Sequence, residues 1–576
     1  MRKSTDPSVE NAYLGLYKPK YVMCFSVLVL VLTSMITHAA TFVDVTQEAG
    51  VLFQHSNGTR TSLLPEDMGS GAGFADIDND GDLDLYIVNI PGAFKATPSK
   101  TTVTTSTNLL YRNNGNGTFT DITQSANVGD TGYGMGIVFA DYNADGYIDI
   151  YVTNYGDNVL YRNNGNSTFS DVTKTAGVEC PLWSTGAAFA DVDGDNDLDL
   201  YVCNYVDYDL KMFEKKKSES MQFGKLVPNA LNPTVFQPQD NILYRNNGDG
   251  SFTDITSEAG VSAHSGRSMQ AIFSDFDNDN DMDLYVANDT SENHIYRNEG
   301  NGTFTDISTD SWAADFRGSM GIAAGDYDAD ADIDIFISHW IDQENVLYRN
   351  LLKESETNSI SPTNIRFVDE SYSAMLAEIS IKEIGWGTSF FDYDNDGDLD
   401  IFVANGSTFQ HLDQPEVLIP QSNQLFRNDG DGIFSDVSKS SGLTMLPPRV
   451  SRGAAFADYD NDGDVDIFIV NNYDKPTLLR NETTNNNNWL HVKLVGMTPN
   501  RNAVGAKILL STSDSTQIRE IYAGESYMSA NSFIAEFGLG KAVHIQTLQV
   551  IWTDGKTQTL QEDISVNQRI EIIQKH

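Results

Sequence analysis

An all-β fold is predicted, a seven-bladed β-propeller followed by a small C-terminal β-rich, sandwich-like domain, and three observations predict it. One acidic loop recurs seven times along the 576 residues, each copy set between short apolar runs. Most copies are followed by two further apolar runs separated by an Asn-Gly or Asp-Gly turn. A lone strand-like segment, Phe42-Val-Asp-Val-Thr46, precedes the first loop, while the last unit ends one strand short. Repeated four-stranded units that close by sharing a strand describe a propeller.

The acidic loops define each unit. The first reads Asp76-Ile-Asp78-Asn-Asp80-Gly81-Asp82-Leu-Asp84, and the others start at Asp141, Asp191, Asp275, Asp326, Asp392 and Asp458. Side-chain oxygens at positions 1, 3, 5 and 9, with a backbone carbonyl near position 7, are what a hard cation such as Ca²⁺ requires. The candidate ligands are Asp76, Asp78, Asp80 and Asp84; Asp141, Asn143, Asp145 and Asp149; Asp191, Asp193, Asp195 and Asp199. The later loops add Asp275, Asp277, Asp279 and Asp283; Asp326, Asp328, Asp330 and Asp334; Asp392, Asp394, Asp396 and Asp400; Asp458, Asp460, Asp462 and Asp466. Up to seven Ca²⁺ are therefore expected. An acidic run is often only a solvated face, but seven recurrences in one register between strands argue against that.

An EF-hand is excluded. Position 12 of the first loop is Ile87 rather than Glu, and the flanking runs read as strands, not helices. Position 6 calls for left-handed backbone. Gly81, Gly146, Gly397 and Gly463 supply it freely, and Asn196 and Asn280 tolerate it. Ala331 pays about 1–2 kcal/mol there, so the Asp326 site is expected to be the weakest or most distorted.

Strands follow each loop. A run such as Asn108-Leu-Leu-Tyr-Arg-Asn-Asn-Gly-Asn-Gly-Thr-Phe-Thr-Asp-Ile-Thr123 reads as a hairpin. Versions recur at Val159–Thr173, Ile242–Thr256, Ile295–Ser308, Gln424–Ser438 and, stretched, Val346–Glu370. Leu478-Leu-Arg-Asn481 is the first half of a seventh, and the N-terminal strand can supply its second half and close the ring. Predicted boundaries are a signal at 1–40, the propeller at 41–482, a linker at 483–488 and the β domain at 489–576.

At residue level these units resemble FG-GAP/VCBS repeats, the type found in integrin α-chain propellers. The tail contributes Asn488-Trp-Leu-His-Val-Lys-Leu-Val-Gly496, Ser526-Tyr-Met-Ser-Ala-Asn-Ser532, Phe537-Gly-Leu-Gly540 and Trp552-Thr-Asp-Gly555. It resembles the ASPIC/UnbV domain that follows such repeats in the cartilage acidic protein family. The resemblance implies a secreted calcium-binding propeller with a β-rich cap, and brings no established reaction. The tail is expected as a small sandwich, or as a satellite on the propeller rim.

Composition narrows the partners. The net charge is −44, and seven Ca²⁺ would offset about 14 of these charges. Nucleic acid is excluded as a partner, because binding it needs Lys and Arg against phosphate. Lys18 and Lys20, the apolar run Tyr21–Ile36 and the small residues Ala39-Ala40 form a secretory signal, with an uncleaved anchor as the alternative. Localisation is therefore expected to be secreted, extracellular or periplasmic. Cys24 would leave with the signal, while Cys180 and Cys203 could pair or remain free.

Loops and hairpin turns fall on one face of the ring, and the long insertions Ile90–Thr107, Tyr205–Asp240 and Gly406–Ser422 on the other. Arg267, Arg317, Arg449, Arg452, Trp183 and Trp386 are assigned to this second face, as is the Lys211, Lys215–Lys217 cluster. A protein or acidic glycan partner is expected there, although the same residues could simply pair with neighbouring acids and pack. No catalytic motif is present: no His-Glu-x-x-His, no Gly-x-Ser-x-Gly, no phosphate-cradling loop before a helix. The reading is an adhesion or binding module; the alternatives are a polysaccharide-processing enzyme using the insertion face and an envelope or matrix scaffold.

Overall fold

A computed structural model describes residues 41–575 apart from 57–58, 95–105, 210–217, 354–364, 412, 431, 498 and 561–563. The signal expected at residues 1–40 and the Lys211, Lys215–Lys217 cluster lie outside the described residues.

Seven consecutive antiparallel sheets of four strands, the sixth with an extra strand, Leu418–Pro420, and one two-stranded hairpin inserted in the third make up the described strands to Asn481. In each sheet an inner strand runs into the acidic loop and a second strand, starting at the loop's last Asp, runs out of it. The inner strands are Ala72–Ala75, Tyr133–Ala140, Ser184–Ala190, Ser268–Ser274, Ser319–Gly325, Gly385–Phe391 and Ser451–Ala457. Each touches the next, and the last touches the first, so the ring closes as a propeller. Phe42–Asp44 pairs antiparallel with Thr477–Asn481, Phe42 opposite Asn481, and completes the last sheet as its outer strand.

The second strands are apolar without alternation because neighbouring sheets cover both their faces. Leu85, Tyr86 and Ile87 are all fully buried. Apolar side chains from adjoining sheets, such as Val138, Phe189 and Val202, fill the wedges between blades. A short helical turn follows the outer strand in several blades, for example Thr123–Ala126. Asp121 anchors it by accepting from the Thr123 N–H at 2.9 Å and its hydroxyl at 2.6 Å.

After Asn481 the chain builds two further sheets. Asn488–Val495 pairs antiparallel with Ile534–Gly540 and parallel with Gln568–Ile573. Thr516–Glu520, Lys507–Ser511, Thr547–Ile551 and Thr557–Leu560 form the other. Leu490, Val492, Ile508, Phe537, Leu548 and Val550 share one core between them, giving a small sandwich.

This sandwich sits over the loop face of the ring rather than on its rim, and one segment of it enters the propeller axis. Ser526 exchanges two backbone hydrogen bonds with Ile322, at 2.7 and 2.9 Å. The Ala523, Met528 and Ala530 carbonyls accept from the N–H groups of Phe189, Ile137 and Phe74. Met528 N–H donates to Gln270 Oε1 at 3.1 Å, Ser526 Oγ accepts from Thr388 N–H, and Asn531 Oδ1 accepts from Phe456 N–H. Every inner strand is therefore bonded to one short stretch of the C-terminal domain.

Candidate metal centres

Six of the seven acidic loops share one internal frame, and the third differs only in that Asp191 Oδ1 accepts from the Gly194 N–H at 2.9 Å. In the first, the N–H groups of Asp80 and Gly81 donate to the two Asp76 oxygens at 3.1 and 3.2 Å, and Asp82 N–H donates to Asp80 Oδ1. Position 6 is left-handed throughout, with φ of 94° at Gly81, 66° at Asn196, 71° at Asn280 and 70° at Ala331. Position 4 is left-handed too, from 57° at Asn278 to 77° at Gly194, a requirement the sequence reading missed. Left-handed residues at positions 4 and 6, one residue apart, curl the chain so that positions 1, 3 and 9 converge. Asp76, Asp78 and Asp84 bring one oxygen each within 4.8 Å of one another, as do Asp191, Asp193 and Asp199, Asp326, Asp328 and Asp334, and Asp392, Asp394 and Asp400. Around Asp275 the converging set is Asp275, Asp277 and Asp279.

The Asp326 loop keeps this frame. Asp330 and Ala331 N–H donate to the two Asp326 oxygens at 3.0 and 3.2 Å. What distinguishes it is a left-handed Ala331, at φ 70°, where other loops have Gly or Asn. Replacing Ala331→Gly is expected to stabilise the protein by about 0.5–1 kcal/mol, the strain relieved less the entropy glycine adds to the unfolded chain. A denaturant midpoint that fails to rise would show that no strain resides there.

The last Asp of each loop is the most buried ligand. Asp84 accepts the Ile77 N–H at 3.1 Å on one oxygen and the Asn113 N–H at 2.8 Å on the other. Burial pushes its carboxyl up to about 8, and the charges of Asp78 and Asp76 add to that. Asp283, Asp334, Asp400 and Asp466 are pushed well above the usual carboxylate range for the same reasons. Asp78, Asp193, Asp277, Asp394 and Asp460 each hold a buried carboxylate oxygen with no hydrogen-bond donor among the described residues. Crowded, dry carboxylates with unused oxygens fit a hard divalent cation. The donors are oxygen only, which suits Ca²⁺ and not a thiolate- or imidazole-seeking metal.

One recurring residue links the loops into a circle. Asn113, Asn163, Asn246, Asn298, Asn350, Asn428 and Asn481 end the third strands. Each donates its side-chain amide to the carbonyl before its own loop's last Asp and to the carbonyl at position 2 of the preceding loop. Asn163 bonds Ile148 and Ile77, at 3.1 and 2.8 Å, and Asn113 closes the circle through Leu83 and Tyr459, at 3.1 and 2.8 Å. The signal was present in the repeated Arg-Asn before each turn, read there only as turn chemistry.

The C-terminal domain touches every loop. Lys493 Nζ lies 3.3 Å from Asp76 Oδ2, and Asn502 Oδ1 accepts the Asp141 N–H at 2.7 Å. Thr553 donates to Asn196, and Lys507 Nζ reaches Asp275 Oδ2 at 2.9 Å and Asn278 Oδ1 at 2.6 Å. Arg519, half-buried, carries its charge close to Asp392 and Asp326. His491 Nδ1 stands 3.3 Å from Asp458 Oδ2.

The six insertion-face residues singled out in the sequence are structural. Arg452 is buried, stacked 3.9 Å from the Trp386 ring centre, and donates to the carbonyls of Asp67, Gly406 and Ser451. Arg317 pairs with Asp315, Glu344 and Asp369, Arg449 with Asp474, and Arg267 with the carbonyls of Pro233 and Phe236. Trp183 and Trp386 are 1% exposed. The arginine side chains are taken up by neighbouring acids, carbonyls and the Trp386 ring, and both tryptophans are buried, so this set presents no open acidic-glycan site. Cys180 and Cys203 are buried and not bonded to each other.

A family model described as FG-GAP-like repeat matches residues 101–152, 141–202, 234–286, 275–337 and 392–469, and one described as ASPIC and UnbV matches 496–576. Cartilage acidic protein 1 of Homo sapiens is 27% identical over 350 residues, which is 58% of this chain and 47% of that protein. The Xenopus tropicalis protein of that name is 27% identical over 305 residues, 51% of this chain and 43% of that protein. The chain thus spans about half the length of the curated relatives it matches. Among solved structures, BBS1N in complex with ARL6DN aligns at 9% identity and a TM-score of 0.41, covering 78% of this chain and 99% of that one.

Proposed function

Since the chain is an FG-GAP-repeat protein with a C-terminal ASPIC and UnbV domain, we propose that it is an exported, calcium-binding propeller that acts as a binding module for a protein of the extracellular matrix or envelope. In this reading residues 41–482 are the propeller, 483–488 the linker and 489–576 the cap, and up to seven Ca²⁺ are held by positions 1, 3, 5 and 9 of the loops. One observation carries the calcium assignment: the same position-3 carboxylate oxygen is buried and unused in loop after loop. No helix among the described residues is long and apolar enough to cross a membrane.

For a partner, the insertion face offers, among the described residues, an apolar tip. The hairpin of Glu219–Gln222 and Lys225–Pro228 exposes Met221, Phe223 and Leu226 by 57%, 41% and 61%. Insertions held on a rigid scaffold are where binding commonly resides.

Equilibrium dialysis is expected to return between about five and seven Ca²⁺ per chain, and Asp460→Asn with Asp466→Asn to remove about one. Stoichiometric uptake that is absent would sink the assignment. Phe223→Ser with Leu226→Ser should leave uptake and melting unchanged while abolishing retention on surfaces coated with solubilised matrix. Unaltered retention would move the partner site elsewhere.

A further inference from the structure

A second site is suggested on the opposite face, where the cap meets the ring. Between the loops of Asp76 and Asp141 and the strands Asn488–Val495 and Gln568–Ile573 lies a groove of about 620 Å³, within the range of small-molecule sites. Three cations converge on it, Lys493, Arg501 and Arg569, across from the loop carboxylates Asp76, Asp80 and Asp141, assigned above to calcium, and beside Glu571.

Their donors are only partly used. Among the described residues the Arg501 guanidinium makes no hydrogen bond and no ion pair, although its charge bears on Asp141, and its Nε lies 3.6 Å from where a Cβ on Gly146 would stand. Arg569 donates through Nη1 to the Gly81 carbonyl at 2.8 Å, while its Nη2 is without a partner. Lys493 leans on Asp76 yet keeps about a third of its side chain exposed (36%). An unused guanidinium fork matches a carboxylate. Beside these cations the wall is apolar, with Phe533, Ile570 and Ile573, the last 59% exposed.

We propose that this groove binds an organic carboxylate with an apolar body, its carboxylate held by Arg501 with support from Arg569 and Lys493, and its body laid along Phe533, Ile570 and Ile573. The cations belong to the C-terminal domain and the groove lies away from the insertion face, so this site is separate from the partner surface proposed above. Calcium uptake, measured on the same variants, keeps the failure of either reading distinguishable from failure of the other.

The test is calorimetric titration of the full chain, calcium-loaded, with 4-phenylbutyrate, using 4-phenylbutan-1-ol and 4-phenylbutylamine as neutral and cationic controls. The carboxylate is expected to saturate at one equivalent and to bind more tightly than either control. Arg501→Gln, a partly exposed change that leaves the fold's hydrogen bonds in place, should weaken it about tenfold without altering the melting point or calcium uptake. Ile573→Asp should weaken it as well. Equal binding of all three probes, or an Arg501→Gln affinity equal to the parent's, would overturn the proposal.

Discussion

Excess chelator is expected to lower the thermal midpoint of this protein by about 10–20 °C, in a single transition. Each ion bound at roughly ten to a hundred times its dissociation constant contributes about 1.4–2.7 kcal/mol. Seven such sites therefore supply about 10–19 kcal/mol, and about 1 °C per kcal/mol is reasonable for a chain larger than those for which 2–4 °C is typical. Without a cation the loop carboxylates are left buried and close together; Asp84 is raised to about 8 chiefly by burial, with the charges of Asp78 and Asp76 adding to it. The transition should be single because the loops are not independent. Asn163 ties the second loop to the first, Asn246 the third to the second, and Asn113 returns the first to the seventh. The cap also rests on all seven. Scanning calorimetry in calcium and in chelator reads the effect directly, and superimposable melts would contradict the calcium reading at its root.

Legibility in the sequence followed the range of the interactions. The acidic loop, its strand partners and its hairpin lie within a few tens of residues, and seven copies made the shared pattern visible. Ring closure was legible for the same reason, since a strand missing at one end and spare at the other leaves one pairing, Phe42 with Asn481. The loop asparagines were visible as letters but not as bonds, because their second acceptor belongs to the preceding blade. Arg452 and Trp386 read as a binding surface because an acid-rich chain makes any cation conspicuous; that they stack on each other in a dry interior depends on residues about 66 positions apart. Least legible was the cap. Ser526 meets Ile322, and Lys507 meets Asp275, across gaps of about two hundred residues with no local signature.

Tyr527→Ala is expected to cost about 3–5 kcal/mol, the range for deleting a buried aromatic ring. Tyr527 is fully buried at the tip of the segment inside the axis. Its ring meets Trp386 edge-on, centroids 4.9 Å apart, and its hydroxyl donates to the Met68 carbonyl at 3.1 Å. The lost ring leaves a cavity that the ring of sheets is too rigid to close, and it uncovers one side of Trp386. Gly71→Ala attacks the same contact from the propeller side. A Cβ on Gly71 would stand 1.6 Å from the Met528 carbonyl oxygen, a backbone atom that cannot yield without moving the whole segment. Both variants should melt lower and shift tryptophan emission to the red, whereas Met445→Ala, at a position 80% exposed, should do neither. If the two axial variants melt like the parent, the C-terminal segment is a passenger in the channel. If they melt lower, the post that bonds all seven inner strands is what makes propeller and cap one cooperative body.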